Sequence, residues 1–138
     1  MWKRRAVSAV GFVILLTTTS FAGNLLSFVC QNEKCGFKGQ VMFGGGFFVR
    51  EVRPAYCAEC GKFVNLSWPR EDKNFEKQKP APTLLGRMWI PSTGKTVEIY
   101  ACPHCGKPVI PLKSPRELTR CPKCGESTLK TRAKGTWD

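Results

Sequence analysis

The sequence predicts a small β-rich fold made of short antiparallel hairpins that are cross-linked through cysteines. The 138-residue chain carries eight cysteines in four close pairs, at positions 30 and 35, 57 and 60, 102 and 105, and 121 and 124. Between the pairs, β-branched and aromatic residues alternate with glycine and proline, which favours short strands and turns. Each half of the cysteine-bearing part spans only about 25 to 30 residues, too few for a self-sufficient apolar core, so a cross-link must stabilise it.

A glycine follows the second cysteine of every pair and the first cysteine of none. The four glycines are Gly36, Gly61, Gly106 and Gly125. Two thiolates can share one metal ion only if the backbone turns tightly between them. The residue after the second thiolate then tends towards positive φ, which glycine adopts without steric cost. The pattern therefore predicts metal-binding knuckles, with eight ligands: Cys30, Cys35, Cys57, Cys60, Cys102, Cys105, Cys121 and Cys124.

These knuckles resemble those of the zinc-ribbon family, in which two knuckles on β-hairpins hold one structural ion. The first two cysteine pairs fit the pattern over about residues 28 to 68, and the last two, both C-P-x-C-G, fit it over about 100 to 129. The resemblance implies a double zinc ribbon, with one Zn²⁺ in each half. Four thiolates form a closed tetrahedral site with no position left for water, which favours a structural over a catalytic role. We therefore expect a non-enzymatic protein.

Three other uses of the cysteines remain open. Iron in a rubredoxin-like site uses the same C-P-x-C-G knuckle, so iron is an alternative at the second site, formed by the last two pairs. Four disulfides are a rival if the chain is exported, because export implies an oxidising compartment. Bridges within C-x-x-C pairs close tiny loops, however, and leave the glycines unexplained. Thiol–disulfide catalysis needs a C-x-x-C at a helix start, whereas strands and prolines surround these pairs.

The N-terminus has the form of a secretory signal peptide. Lys3, Arg4 and Arg5 precede an uncharged apolar stretch from residue 6 to 16, and small residues at 20 and 22 predict cleavage after Ala22. The predicted location is the periplasm or the extracellular space. The alternative is an uncleaved inner-membrane anchor, because residues 6 to 29 carry no charge and just reach the roughly 20 residues that a bilayer span needs.

Net charge is a weak argument for nucleic acid. The chain carries 22 basic and 10 acidic side chains, a formal net charge of +12. Cleavage would remove three basic residues, leaving 19 basic and 10 acidic side chains and a charge of +9 for residues 23 to 138. Two four-thiolate zinc sites would lower this to about +5, and the excess is dispersed rather than clustered. Another protein or an envelope assembly is therefore the expected partner, and a membrane is contacted only through an uncleaved N-terminus. Nucleic acid is disfavoured, and a nucleic-acid-binding zinc ribbon is the alternative only if the N-terminus is not an export signal.

The pattern along the chain predicts five parts. After the signal peptide at 1–22 come zinc ribbon 1 at 27–68, a charged, proline-rich linker at 69–84, a hairpin with zinc ribbon 2 at 85–129, and a basic tail at 130–138. A short exposed helix at 70–77 is the competing prediction for the linker.

Local patterns predict the elements within these parts. In ribbon 1 we expect two strands, one before and one after the Gly44-Gly-Gly46 turn, and a third strand at 63–68. The segment Pro91-Ser-Thr-Gly94 predicts the turn of a hairpin that leads into Cys102. Further along, Val109-Ile110 is expected as a short strand, and Ser114-Pro-Arg-Glu117 predicts a single helical turn capped by serine.

A possible interaction surface lies in ribbon 1. Phe47 and Phe48 stand beside Arg50 and Arg53, an arrangement that suits stacking on bases or contact with a protein. The predicted export favours the protein contact or a role in the small core. His104, the only histidine, lies inside a knuckle and is expected to be an exposed loop residue.

Overall fold

The computed structural model describes residues 22–47, 49–71 and 80–137. Eight β-strands run through these residues: β1 (Gly23–Cys30), β2 (Lys38–Phe43), β3 (Val49–Cys57), β4 (Lys62–Pro69), β5 (Leu84–Ile90), β6 (Lys95–Ala101), β7 (Pro108–Val109) and β8 (Leu129–Trp137). The described part contains no helix long and apolar enough to cross a membrane. The predicted small β-rich class is confirmed.

Three small antiparallel sheets make up the fold. Their strand orders are β2-β1-β8, β3-β4 and β5-β6-β7. The strands expected around Gly44-Gly-Gly46 are present as β2 and β3, but each pairs with another neighbour, β2 with β1 and β3 with β4. A single bridge between Gly44 and Val52 connects them. The triple-glycine segment therefore passes the chain from one sheet to the next.

The C-terminal segment forms a strand, contrary to the basic tail expected at 130–138. Leu129–Trp137 pairs antiparallel with all of β1, with a bulge opposite Leu25 and Leu26. The sequence gives little sign of this because β8 is exposed over most of its length. Its stability comes from backbone pairing and from its two ends, where Leu129 joins the core and the Trp137 ring lies over Gly23.

The first strand starts at the residue that immediately follows the predicted cleavage site. β1 begins at Gly23, within a segment that the sequence offered only as the end of an apolar run. The signal peptide or anchor predicted for 1–22 lies outside the described residues except for Ala22. Residues 72–79 of the predicted linker, and most of the competing helix, also lie outside them.

The hairpin predicted around Pro91-Ser-Thr-Gly94 is formed by β5 and β6, and Gly94 has a φ of 63°. The predicted helical turn is a 3-10 turn at Pro115–Glu117. Ser114 occupies the cap position, but its side chain accepts no capping hydrogen bond. The Glu117 carboxylate instead accepts a hydrogen bond from the Lys113 backbone N–H at 3.0 Å.

Two small apolar clusters stabilise the sheets. One contains Val64, Leu66, Tyr100 and Val109, from β4, β6 and β7. The other contains Phe28, Val41, Phe43 and Leu118, from β1, β2 and the end of the 3-10 turn. Each cluster thus joins residues from the first half of the chain to residues from the second half, so the halves do not fold as separate cores.

An aromatic group connects the two N-terminal hairpins. Phe28 and Phe37 lie on the β1–β2 hairpin, and Tyr56 and Phe63 on the β3–β4 hairpin. The ring centroids of Phe28 and Phe63 are 5.2 Å apart, and those of Phe37 and Tyr56 are 5.9 Å apart, in edge-to-face geometry. Such pairs add about 0.5–1.5 kcal/mol each beyond the area they bury.

Candidate metal centres

Three of the four knuckles begin at the end of a strand, and the fourth follows the 3-10 turn. Cys30 is the last residue of β1 and Cys57 the last residue of β3, so the first two knuckles cap hairpins. Cys102 directly follows β6, and Cys121 follows the 3-10 turn. The leading cysteine of every knuckle is buried, whereas the second is partly or fully exposed.

The glycine after each knuckle adopts the left-handed conformation that the sequence predicts. The φ angles are 63° at Gly36, 64° at Gly61, 74° at Gly106 and 77° at Gly125. In the third knuckle the Gly106 N–H donates to the Cys102 carbonyl at 2.8 Å. The fourth knuckle repeats the bond from Gly125 to Cys121 at 2.7 Å. The positive φ folds the backbone back over the two sulfurs.

The first knuckle accommodates two additional residues through an asparagine turn. The Asn32 side-chain oxygen accepts a hydrogen bond from the Lys34 N–H at 3.1 Å, and the Asn32 carbonyl accepts one from Cys35 at 2.9 Å. The knuckle closes with a 2.8 Å bond from the Cys30 N–H to the Phe37 carbonyl. The C-x4-C spacing is therefore compatible with the same final arrangement as C-x2-C.

The structure corrects how the knuckles combine. The sequence order suggested that the first two knuckles form one site and the last two another. Instead, the groups that could hold a metal ion are nested: an outer site of Cys30, Cys35, Cys121 and Cys124, and an inner site of Cys57, Cys60, Cys102 and Cys105. The second site considered for iron, made of the last two pairs, is therefore not one site. The two C-P-x-C-G knuckles belong to different sites.

Strand pairing accounts for the nesting. β1 carries the first knuckle and pairs along its whole length with β8, which follows the fourth. Between the two knuckles, the Gln31 N–H donates to the Thr128 carbonyl at 2.8 Å and Lys123 Nζ donates to the Cys35 carbonyl at 3.2 Å.

Contacts between β3 and the segment after β7 bring the inner knuckles together in the same way. Ala55 forms a bridge with Pro111, and the Leu112 N–H donates to the Pro54 carbonyl at 2.8 Å. Ala55 shares a buried cluster with Cys57 of the second knuckle and Cys102 of the third.

The sulfur positions match a tetrahedral four-thiolate site. Within each site the four Sγ atoms lie within 4.8 Å of one another. The short separations are 3.7 Å for Cys30–Cys124 and for Cys35–Cys121, 3.5 Å for Cys57–Cys105, and 3.9 Å for Cys60–Cys102. A tetrahedron with Zn–S bonds of about 2.3 Å has S···S edges of about 3.8 Å. All eight cysteines are unbridged, so the arrangement has the dimensions of metal sites rather than disulfides.

The outer site contains one readily ionised thiol. Thr128 Oγ1 lies 3.1 Å from Cys30 Sγ, and this hydroxyl lowers the pKa of Cys30 to about 7. Burial raises the pKa of Cys35 to about 12, and the neighbouring sulfurs add to that effect. Thr128 was not identified from the sequence. The only signal for it in the sequence is its position four residues after Cys124.

The inner site also combines a thiol whose pKa is lowered with a thiol whose pKa is raised. Burial opposes ionisation of Cys102, but the backbone N–H groups of His104 and Cys105 lower the pKa of Cys102 to about 7. The sulfurs of Cys105 and Cys57 raise the pKa of Cys60 to about 12. Burial at the outer site and the neighbouring sulfurs at the inner site thus oppose full ionisation of the four thiols. A bound cation removes that obstacle, and this is the chemistry that Zn²⁺ would supply here.

Comparisons with protein-family models, curated proteins and solved structures give no match. The likeness to zinc ribbons therefore rests on the knuckles and on the two four-cysteine groups.

The proposed aromatic and basic surface remains a prediction. Phe47 and Arg50 are exposed, and Phe48 lies outside the described residues. Arg53 makes a bidentate pair with Glu51 at 2.6 and 2.9 Å, and its guanidinium lies 5.4 Å from the centre of the Trp68 ring. His104 is exposed, as expected.

Replacing Gly106 by alanine tests the role of the knuckle glycines. An alanine Cβ would meet nothing within 4 Å, so the cost is conformational alone. We expect Gly106→Ala to destabilise the zinc-loaded protein by about 1–2 kcal/mol, measured by urea unfolding. Gly86→Ala is the matched control, because Gly86 has equal space but no positive φ. Equal effects of the two substitutions would contradict this explanation.

Proposed function

We propose that the protein is an exported, non-enzymatic module in which two structural Zn²⁺ ions stabilise a rigid scaffold for contact with another protein or an envelope assembly. The observation that carries this proposal is the pair of closed four-cysteine groups. Each group supplies a full tetrahedral set of protein ligands, which leaves no open position for a substrate or water.

The nested pairing also supports a structural role. The outer site joins the first strand to the segment before the last, and the inner site joins β3 to the residues after β6. A metal ion at each site would therefore cross-link segments that are distant in the sequence. The free energy of metal binding then stabilises the fold and rigidifies the loops between the strands.

Export is supported by the position of the first strand. The predicted cleavage after Ala22 would leave Gly23, the first residue of β1, at the N-terminus. The mature chain would then begin where the described sheet begins. Gly23 also has little room for a side chain, because the Trp137 ring lies against it.

The test is metal content, thiol count and mass of protein recovered from its native compartment. We expect two zinc ions per chain, no disulfides, and a mass that starts at Gly23. A mass that includes residues 1–22 would support the membrane anchor instead. Four disulfides without metal would overturn the metal sites, and a red, iron-containing protein would favour the electron-transfer alternative over a zinc scaffold.

A further inference from the structure

The β5 strand exposes an unusual concentration of apolar side chains. Four of the seven large apolar residues that are exposed in the described part of the chain lie on this one strand: Leu84, Leu85, Met88 and Trp89. Trp89 is the most exposed of the seven, at 60%. Exposed tryptophan grouped with other apolar side chains is typical of contact surfaces rather than of ordinary protein surface.

β5 is also a sheet edge. Within the described residues it pairs with β6 alone, so the alternate backbone N–H and C=O groups on its other side are not used by the sheet. An exposed edge of this kind can accept an additional strand, with backbone bonds giving affinity and side-chain sites giving specificity.

One face of the β5–β6 hairpin is cationic. Beside Arg87 lies a cavity of about 440 Å³ whose lining includes Arg53 and Lys113 but a single carboxylate, Glu98. That carboxylate already accepts bonds from Arg87 at 3.0 Å and from the Tyr100 hydroxyl at 2.8 Å. Glu51 pairs with Arg53, so the three cations meet two carboxylates and a net charge of +1 remains, contributed by Lys113. This face therefore suits acidic side chains.

The opposite face is apolar. Met88 follows Arg87 on β5, and alternation places the Met88 side chain on the side away from Arg87. Met88 and Ile99 contribute to a groove of about 560 Å³ with Ile110 and Leu112. A strand added to β5 would point every second side chain towards this groove and the others towards the cationic face.

We propose that β5 is the docking edge for an extended segment of a partner protein in which acidic and apolar side chains alternate. This inference rests on the proposed function, for which it names the contact surface and the partner chemistry. Charge complementarity selects an acidic partner over a second copy of this chain, because residues 23–138 carry a net charge of +9. This charge is still about +5 with zinc in both sites, so two copies repel each other.

A synthetic ten-residue peptide of alternating glutamate and valine is the probe, and the same peptide with lysine for glutamate is its control. Binding to the zinc-loaded protein is measured by anisotropy of a labelled peptide, and the docking site by amide hydrogen exchange. We expect the glutamate peptide to bind at least tenfold more tightly than the lysine peptide and to slow exchange in β5. Equal binding of the two peptides, no binding of either, or protection confined to other strands would overturn the proposal.

Two variants and a matched control locate the surface. Arg87→Glu and Trp89→Ala should each weaken binding of the glutamate peptide at least tenfold. Arg132→Glu makes the same charge change on an exposed residue of β8, another edge strand, and should change binding less than threefold. An equal loss in Arg132→Glu would show non-specific attraction and overturn the proposal, as would a dimer formed through β5 without peptide.

Zinc content is measured on the same samples. A protein with two zinc ions that binds no peptide overturns the docking edge alone, whereas a protein without metal overturns the proposed scaffold itself.

Discussion

Replacing Cys35 and Cys124 together by serine should remove one metal ion and leave the other fully bound. Both residues belong to the outer site, so the double variant loses two of its four ligands while the inner site keeps all of its own. Both thiols are at least partly exposed, which limits damage to packing. Native mass spectrometry should show about one zinc ion per chain, because a closed structural site needs four ligands.

The matched double variant is Cys35→Ser with Cys60→Ser. It also removes two second-position cysteines, but in the nested arrangement it damages both sites. We expect about zero tightly held zinc ions, since neither site then has its four ligands. If the knuckles paired in sequence order, the results would be reversed, with one ion retained in this variant and none in the first. That reversal would contradict the structure directly.

The reason that sequence reasoning found the ligands but not their pairing lies in the range of the interactions. A knuckle is local: Cys121, Lys123 and Gly125 fall within five residues, and the turn they make depends on that segment alone. The positive φ at the four knuckle glycines could therefore be predicted. The β5–β6 hairpin is equally local, because its turn residues and both strands are contiguous.

Pairing of the knuckles depends instead on contacts between distant segments. Three knuckles have the same C-x2-C spacing and the first is C-x4-C, and these spacings do not indicate which two knuckles share an ion. The decisive element is β8, which pairs with β1 about a hundred residues away. Its sequence lacks the apolar alternation of a half-buried strand because only its ends, Leu129 and Trp137, are partly buried. A strand that is stabilised mainly by backbone hydrogen bonds cannot be recognised from the alternation of apolar and polar side chains in the sequence.

Because the sites are nested, the outer site forms only when two segments that are distant in the sequence come together. Cys30 and Cys124 are separated by 94 positions and Cys57 and Cys105 by 48. Closing the inner site first shortens the chain that the outer site must still order. The entropy gain is modest, because each halving of loop length is worth only about 0.6 kcal/mol.

Complete removal of metal should unfold the protein. Structural Zn²⁺ contributes about 10–16 kcal/mol in small zinc-dependent domains, comparable to or larger than the entire stability of about 5–15 kcal/mol of an ordinary domain. The two apolar clusters here are small, and the one around Leu66 includes the cysteine ligands Cys57 and Cys102. Without the ions, the thiols that are packed within 4.8 Å of one another lose the charge that holds them together.

Excess chelator under reducing conditions should therefore abolish the strand signal in circular dichroism. It should also shift the tryptophan fluorescence to longer wavelength, because Trp68, which packs against the core, becomes exposed to water. Adding Zn²⁺ back should restore both signals, and chelator already saturated with zinc should have no effect. The Cys35→Ser/Cys124→Ser variant sharpens the test, because its inner site keeps the cluster that contains Leu66. It should lose protection of β1 and β8 from hydrogen exchange while retaining protection of β3 and β4 until chelator is added. Persistence of all the strands in metal-free, reduced protein would show that the apolar clusters suffice and that the metal sites do not hold the fold.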